Sequence, residues 1–377
     1  MAERSRTLTS LGDLNSHETR ERLLGRGLLM VDGSGNSKSY EVPGVTSHDL
    51  LLDRIMFEPE ETEFREPPWP AGLAPQPVST ALQGDGSLPL ADTVLITWTA
   101  AEKQALAYVL TPGVAPADWT AYRHDWTKYV GQLTDRSPAR AANRLGEFYV
   151  VTIGRLRVCC FHSQLHPATD AATLPTAQLA AQAAAETGAN LIVTTGTAGG
   201  AGAGTVLGDV NVATAAASLF TTRLAGHPWS KETWATAPLT AGQSTMLGMN
   251  VLAALFAANS GRLPEQWAPR APQVWYGDTV STDFFAFEDV TDHYGLAAYK
   301  PDIRDVEMDD AAVAYGLSTM AEPPALAVAR NASDPIMPGA SEDDARRAET
   351  IYQQYGLFTT WNSAIACWAL VAGLAEG

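Results

Sequence analysis

The chain has 377 residues, 46% hydrophobic and 18% charged, which suits a soluble globular protein of one large domain or two ordinary ones. Forty-two acidic side chains against 25 basic ones leave a formal charge of -17, which argues against broad contact with a nucleic-acid backbone. No consecutive apolar run approaches the roughly 18 residues of a membrane span; the best is Ala364 to Leu374.

Residues 1–90 are rich in turn formers, as in "DGSGNS" and "FEPEETEFREPPWP". Within them "SHDLLLDRIM" (Ser47 to Met56) carries a capping residue and apolar repeats that predict a helix. The remainder reads as an irregular extension, either an arm packed on the main domain or on a partner subunit, or a poorly ordered tail. The start, "MAERSRTLTS", has no apolar core of a signal peptide. A catalytic domain is expected over 91–377.

From Asp92 the pattern becomes strands alternating with helices. "TVLITWT" (Thr93 to Thr99) is a buried-strand run, and "AAEKQALAYVL" after it has helical spacing. "EFYVVTIG" and "LRVCCFHS" predict a hairpin centred on Gly154 and Arg155. Its adjacent Cys159 and Cys160 form no C-x-x-C and suggest a reducing, cytoplasmic setting. "PTAQLAAQAAAETG" opens with Pro175 and stops at Gly188, as a helix feeding the strand Leu191 to Val193 should.

Next comes "TTGTAGGAGAG", Thr194 to Gly204. Its glycines match neither G-x-G-x-x-G nor the P-loop, so it reads as a glycine loop leading to a second strand in "TVLGDVNVATA". Further on come "QVWYGDTVS", the helix-like "MDDAAVAYGLSTM", the strand "ALAVARNASD" and a closing helix around "TTWNSAIACWALVAG". This alternation implies an α/β fold with a mixed central sheet flanked by helices, an α/β/α sandwich. Catalytic groups are expected at its strand ends.

Four segments in this order, "VTTGTAGG....VLGDVNVA", "VSTDFF", "DVEMDDAAVA" and "ALAVARNASDP", resemble the nucleoside phosphorylase superfamily. The resemblance is strongest to its 5'-methylthioadenosine/S-adenosylhomocysteine nucleosidase branch, and it spans Asp92 to Asp334. It implies a nucleoside phosphorylase-like fold; no H-E-x-x-H or paired C-x-x-C points to a metal, and no cofactor is expected. It implies that Asp334 is the general acid at the purine N7, with Ser333 its neighbour, and that Met308 and Asp309 lie against the ribose. Phe285 resembles the aromatic that packs on the base. Glu102 falls where the nucleosidase branch carries the carboxylate that activates water. Thr197 and Gly199 would line the nucleoside pocket, beside Glu307 and Arg330.

Breaking a C1'-N9 bond places negative charge on the departing purine, which a carboxylic acid kept protonated near neutral pH can relieve. The expected activity is therefore hydrolysis of the N-glycosidic bond of an adenosine-type nucleoside. The alternatives are a phosphate-dependent phosphorylase, and a nucleoside-binding protein that has lost its chemistry. Read by themselves the residues have plainer uses: Asp334 as a turn or cap residue, Glu102 as a solvated helix residue, Asp309 and Asp310 as acids of a first helical turn. Two departures stand out. "HSQLHPATD", with His162 and His166, replaces the family's second glycine turn, and Asp309 stands where glutamate is usual. The resemblance also implies a homodimer or higher homo-oligomer, acting on a small-molecule nucleoside and not on nucleic acid or membrane.

Overall fold

The structure is a computed structural model that describes residues 64–376, apart from 66, 79–80, 135–136, 168–172, 203, 285–294, 301 and 336–341. The helix expected at Ser47 to Met56 and the base-stacking Phe285 both lie outside the described residues. In chain order the strands are β1 (Gln76–Val78), β2 (Thr93–Thr97), β3 (Thr120–Tyr122), β4 (Gly146–Ile153), β5 (Leu156–Ser163), β6 (Leu191–Gly200) and β7 (Val210–Val212). They continue as β8 (Ala215–Leu219), β9 (Thr233–Ala235), β10 (Val274–Trp275), β11 (Asp278–Thr282), β12 (Ile303–Glu307) and β13 (Ala325–Pro335). The longer helices are α1 (Ala100–Leu110), α2 (Pro175–Thr187), α3 (Ala241–Gly248), α4 (Asn250–Ser260), α5 (Asp310–Ser318) and α6 (Glu342–Ala375).

All the strands join one mixed sheet, with the path β1-β4-β5-β2-β6-β12-β11-β8-β9 and with β13 against both β6 and β7. Neighbouring strand residues point to opposite faces, so each strand feeds two cores. Leu95, Cys160, Val193 and Ala329 pack beneath α1, α3, α4 and α6. Their neighbours Val94, Cys159, Ile192 and Val328 pack beneath α2 and α5. The paired cysteines thus serve two different layers. This is the expected α/β/α arrangement, with helices on both faces of a mixed sheet.

α6 is the longest apolar element. Tyr355–Ala375 is long and apolar enough to cross a membrane, yet 89% of its apolar stretch is buried inside the protein. Its longest unbroken apolar run in the sequence is shorter because polar residues interrupt the helix. Those residues are used internally: Ser363 Oγ donates to Asn331 Oδ1 (2.8 Å) and Asn362 Nδ2 to the Gly208 carbonyl (2.8 Å). Part of the N-terminal extension packs on this helix as well. Trp69 packs at a tilt against Trp368, whose indole N–H donates to the Leu73 carbonyl at 2.7 Å, and β1 adds to the edge of β4.

The glycine-rich stretch is a strand for most of its length and not the loop that its composition predicts. β6 runs through it to Gly200, held in parallel register by β13 along its whole length. The connection follows only afterwards, and the strand expected across Thr205 to Ala215 shrinks to the three residues of β7. The cause is Asp209, whose buried carboxylate gathers Val206 N, Gln273 N, the Trp275 indole and both terminal nitrogens of Arg270. Such a web bends the chain before β7 can begin.

Candidate functional site

β6 changes partners along one edge, and that change opens the site. β2 accompanies it only as far as Thr194, while β12 joins it at Gly199 and Gly200. Between them the edge of β6 has no ladder partner among the described residues, so its backbone donors need side chains. Glu102 supplies one. It is the third residue of α1 and forms a capping box with Thr99. Its Oε1 accepts from Thr197 N and Thr197 Oγ1, both at 2.8 Å, and its Oε2 accepts from Thr97 Oγ1, Trp98 N and Thr99 N, all at 2.9 Å. Burial works to raise its pKa, but the Arg330 charge and these donors outweigh it and hold the carboxyl below the usual range.

Arg330 leaves β13 directly opposite Gly196 of β6 and is almost fully buried. Its guanidinium binds Asp310 with two nitrogens (3.1 and 2.6 Å), reaches Glu307 Oε2 at 3.1 Å and lies 3.9 Å from Glu102 Oε1. The Trp98 ring covers it at 5.0 Å. Three carboxylates therefore surround one cation. Glu307, at the end of β12, also accepts from Ser281 Oγ and from the first amides of α5, Asp309 N and Asp310 N. Burial and the charge of Asp310 push its pKa up to about 7.

Asp334 arrives from the other flank of β6. β13 shifts register between Ala332 and Asp334, so Asp334 rather than Ser333 lies beside Gly199, whose opposite neighbour is Val306 of β12. This irregularity brings Asp334 and the Glu307-Met308-Asp309 segment to the two sides of one glycine. Ser333 Oγ donates to Asp334 Oδ1 at 2.7 Å and also lies 3.2 Å from the Ala198 carbonyl. Burial raises the Asp334 pKa to about 7, against the pull of the serine. Met308 is half-buried, and Asp309, next to it in sequence, is buried.

Asp309 does not cap α5 with its side chain. Its Oδ2 lies 3.5 Å from His166 Nε2, and burial, reinforced by Glu307, drives its pKa far above the carboxylate range. Burial lowers the His166 pKa to about 4, against the pull of Glu102. His162 belongs elsewhere. Its Nε2 lies 2.8 Å from the Trp98 carbonyl and its Nδ1 is 3.6 Å from Glu147, which pairs with Lys103 at 2.6 Å.

The structure thus brings together Glu102, Thr197, Gly199, Glu307, Met308, Asp309, Arg330, Ser333 and Asp334, and adds His166. Asp310 was read from sequence only as an acid of a first helical turn; here it is the principal partner of Arg330. Asp283 of "VSTDFF" is buried as the acceptor for Thr221 N, Thr222 N and Leu224 N, which fixes the turn after β8. Phe284 beside it is core, packed with Leu219, Val280 and Leu296.

A family model described as the phosphorylase superfamily matches residues 125–354, well over half of the chain. The chain belongs to this superfamily. The matched range begins after β2 and α1, so Glu102 falls outside it. Among solved structures the chain is similar to the 5'-methylthioadenosine/S-adenosylhomocysteine nucleosidase of Neisseria meningitidis in complex with methylthio-immucillin-A: 19% identity, 74% of this chain, 99% of that one, TM-score 0.47. It is also similar to the S-adenosylhomocysteine nucleosidase of Streptococcus pyogenes in complex with 5-methylthiotubericidin: 16% identity, 77% and 99% coverage, TM-score 0.47. A third is the futalosine hydrolase of Helicobacter pylori strain 26695: 14% identity, 74% and 97% coverage, TM-score 0.47. No curated protein matches the chain.

Proposed function

We propose that the protein hydrolyses the N-glycosidic bond of a purine nucleoside of the adenosine type, releasing the free base and the sugar. The observation that carries this reading is the placement of two unlike carboxyl groups around one strand. Asp334, with its pKa raised to about 7 by burial, keeps its proton in about half of the molecules at pH 7, while the Arg330 charge and its donors hold Glu102 ionised. Groups whose surroundings push their pKa values apart are the acid and the anionic partner of a glycosyl transfer.

Asp334 delivers its proton to the purine as the C1'-N9 bond lengthens. Asp309 and Met308 lie against the ribose, and the ionised Glu102 orients the attacking water and stabilises positive charge developing on the sugar. Five donors already reach Glu102, so one of them must yield for water to bind there.

Water is favoured over phosphate by the local charge. Arg330 is engaged by Asp310 and Glu307 and Arg270 by Asp209. A phosphate anion placed beside Glu102, Glu307 and Asp310 would meet like charge. The protein acts in this reading as a cytoplasmic homo-oligomer.

The test is incubation with a panel of nucleosides and nucleotides in phosphate-free buffer, with free base measured by chromatography. Adenine-type base and free ribose are the expected products. Strict dependence on phosphate would make the protein a phosphorylase, and tight binding without turnover would make it a binding protein.

A further inference from the structure

Asp309 stands where the family pattern has glutamate, and the shorter side chain divides its two oxygens between different tasks. Oδ2 faces His166 Nε2 at 3.5 Å, while Oδ1 is buried with no hydrogen-bond partner among the described residues. A buried acceptor in that state calls for a donor from a ligand. His166 lies on the segment after β5 where the sequence departs from the family's glycine turn. The charged groups acting on its ring are Glu102, Arg330 and Arg223, and those acting on Asp309 are Glu307, Arg330, Glu102 and Asp310. The imidazole therefore stands among the groups around Arg330, whereas Glu102 has its oxygens occupied by five protein donors.

We propose that His166, positioned by Asp309 Oδ2, receives the proton of the attacking water, with Asp309 Oδ1 accepting from a ribose hydroxyl. This assignment rests on the nucleosidase reading. The C1'-N9 bond breaks with its electron pair leaving on the purine, which takes the Asp334 proton. The water oxygen bonds to C1', and the proton it sheds passes to the imidazole. Transfer of that proton through solvent to Asp334 restores the enzyme, with one water consumed per turnover. Burial keeps the imidazole neutral in the resting enzyme, the form that can accept a proton.

The experiment compares H166A and H166Q with the wild type and with D334N, using base release and sodium azide as an added nucleophile. Azide attacks carbon without giving up a proton, so it bypasses a missing proton acceptor. In both His166 variants kcat should fall by about 100-fold or more with KM changed much less. Azide should restore turnover in H166A and yield a glycosyl azide, and D334N should not respond. If H166A fails to fold, the loss of kcat in the volume-preserving H166Q decides alone. Retention of more than about a tenth of wild-type kcat in a folded His166 variant, or an H166A defect that azide leaves unchanged, overturns the assignment. A wild type that releases no base from any nucleoside defeats the nucleosidase reading itself, which is a different result from an active wild type indifferent to His166.

Discussion

The carboxyl group of Glu102 occupies the place where a side chain on Gly196 would stand. A Cβ built at Gly196 would lie 2.2 Å from Glu102 Cδ, and the backbone there has φ +143, a conformation that side chains rarely adopt. The glycine therefore exists to admit a carboxylate from a helix on another part of the chain, which then binds the next amide of the same strand, Thr197 N.

Replacing Gly196 by alanine is expected to cost about 3 kcal/mol, from backbone strain and from overpacking against Glu102. Denaturant unfolding measures the loss. In the double variant G196A/E102A the clash disappears while the strain remains, so the two losses should sum to more than the double variant shows. Strict additivity would mean that Glu102 is not the reason for the glycine.

Asp334 sets a pH limit on the reaction. Burial lifts its pKa to about 7, and the leaving purine needs its proton, so the active form is lost as pH rises through that value. The kcat/KM for base release should decline on the alkaline side with a midpoint near 7, and D334N should lose about 100-fold or more while keeping the wild-type circular dichroism. A flat profile between pH 6 and 8 would remove Asp334 from the role of acid.

Much of this architecture could be read from local pattern. The helix Ala100–Leu110, the hairpin around Gly154 and the helix from Pro175 to a left-handed Gly188 fell where spacing and caps placed them, because those signals act within a few residues. The glycines of β6 misled for the opposite reason. A cluster of five looks like a loop, and only the arrival of Glu102 and the parallel partner β13 explains why a strand carries the first three of them. The pairing of Arg330 with Asp310 and the web around Asp209 were equally hidden, since partners 20 and 61 residues apart leave no periodic trace. Asp309 and His166 are separated more widely still, and His166 drew attention only by breaking the family pattern.

Arg330 makes the cluster of acids tolerable, and its removal should be severe. Substituting Arg330→Met leaves Asp310 and Glu307 buried without their shared cation, and breaking such a group by deleting one partner costs about 3–5 kcal/mol. The loss should shrink as pH falls toward 5, because the stranded carboxyls then take up protons. Denaturant unfolding of R330M and wild type at pH 5 and pH 8 measures both; a deficit independent of pH would show that the arginine serves packing alone.

Asp305 offers a stability test away from the proposed chemistry. It lies in β12, buried, with neither carboxyl oxygen in a regular hydrogen bond among the described residues; Thr279 and Asn211 are close enough to ease its charge, but burial dominates and lifts its pKa to about 8. In the unfolded chain an aspartate titrates near 4. The folded state therefore holds a proton that the unfolded state releases, and its contribution is complete below pH 4 and lost progressively as pH rises to about 8. Asp305→Asn carries no such proton, so the variant should gain on the wild type across that window, with little difference at pH 4 and a Tm higher by at least about 3 °C at pH 8. Thermal melts of both proteins at four or five pH values decide it. A constant gap would mean that the carboxyl stays ionised in the fold and has a donor that its neighbours Thr279 and Asn211 supply.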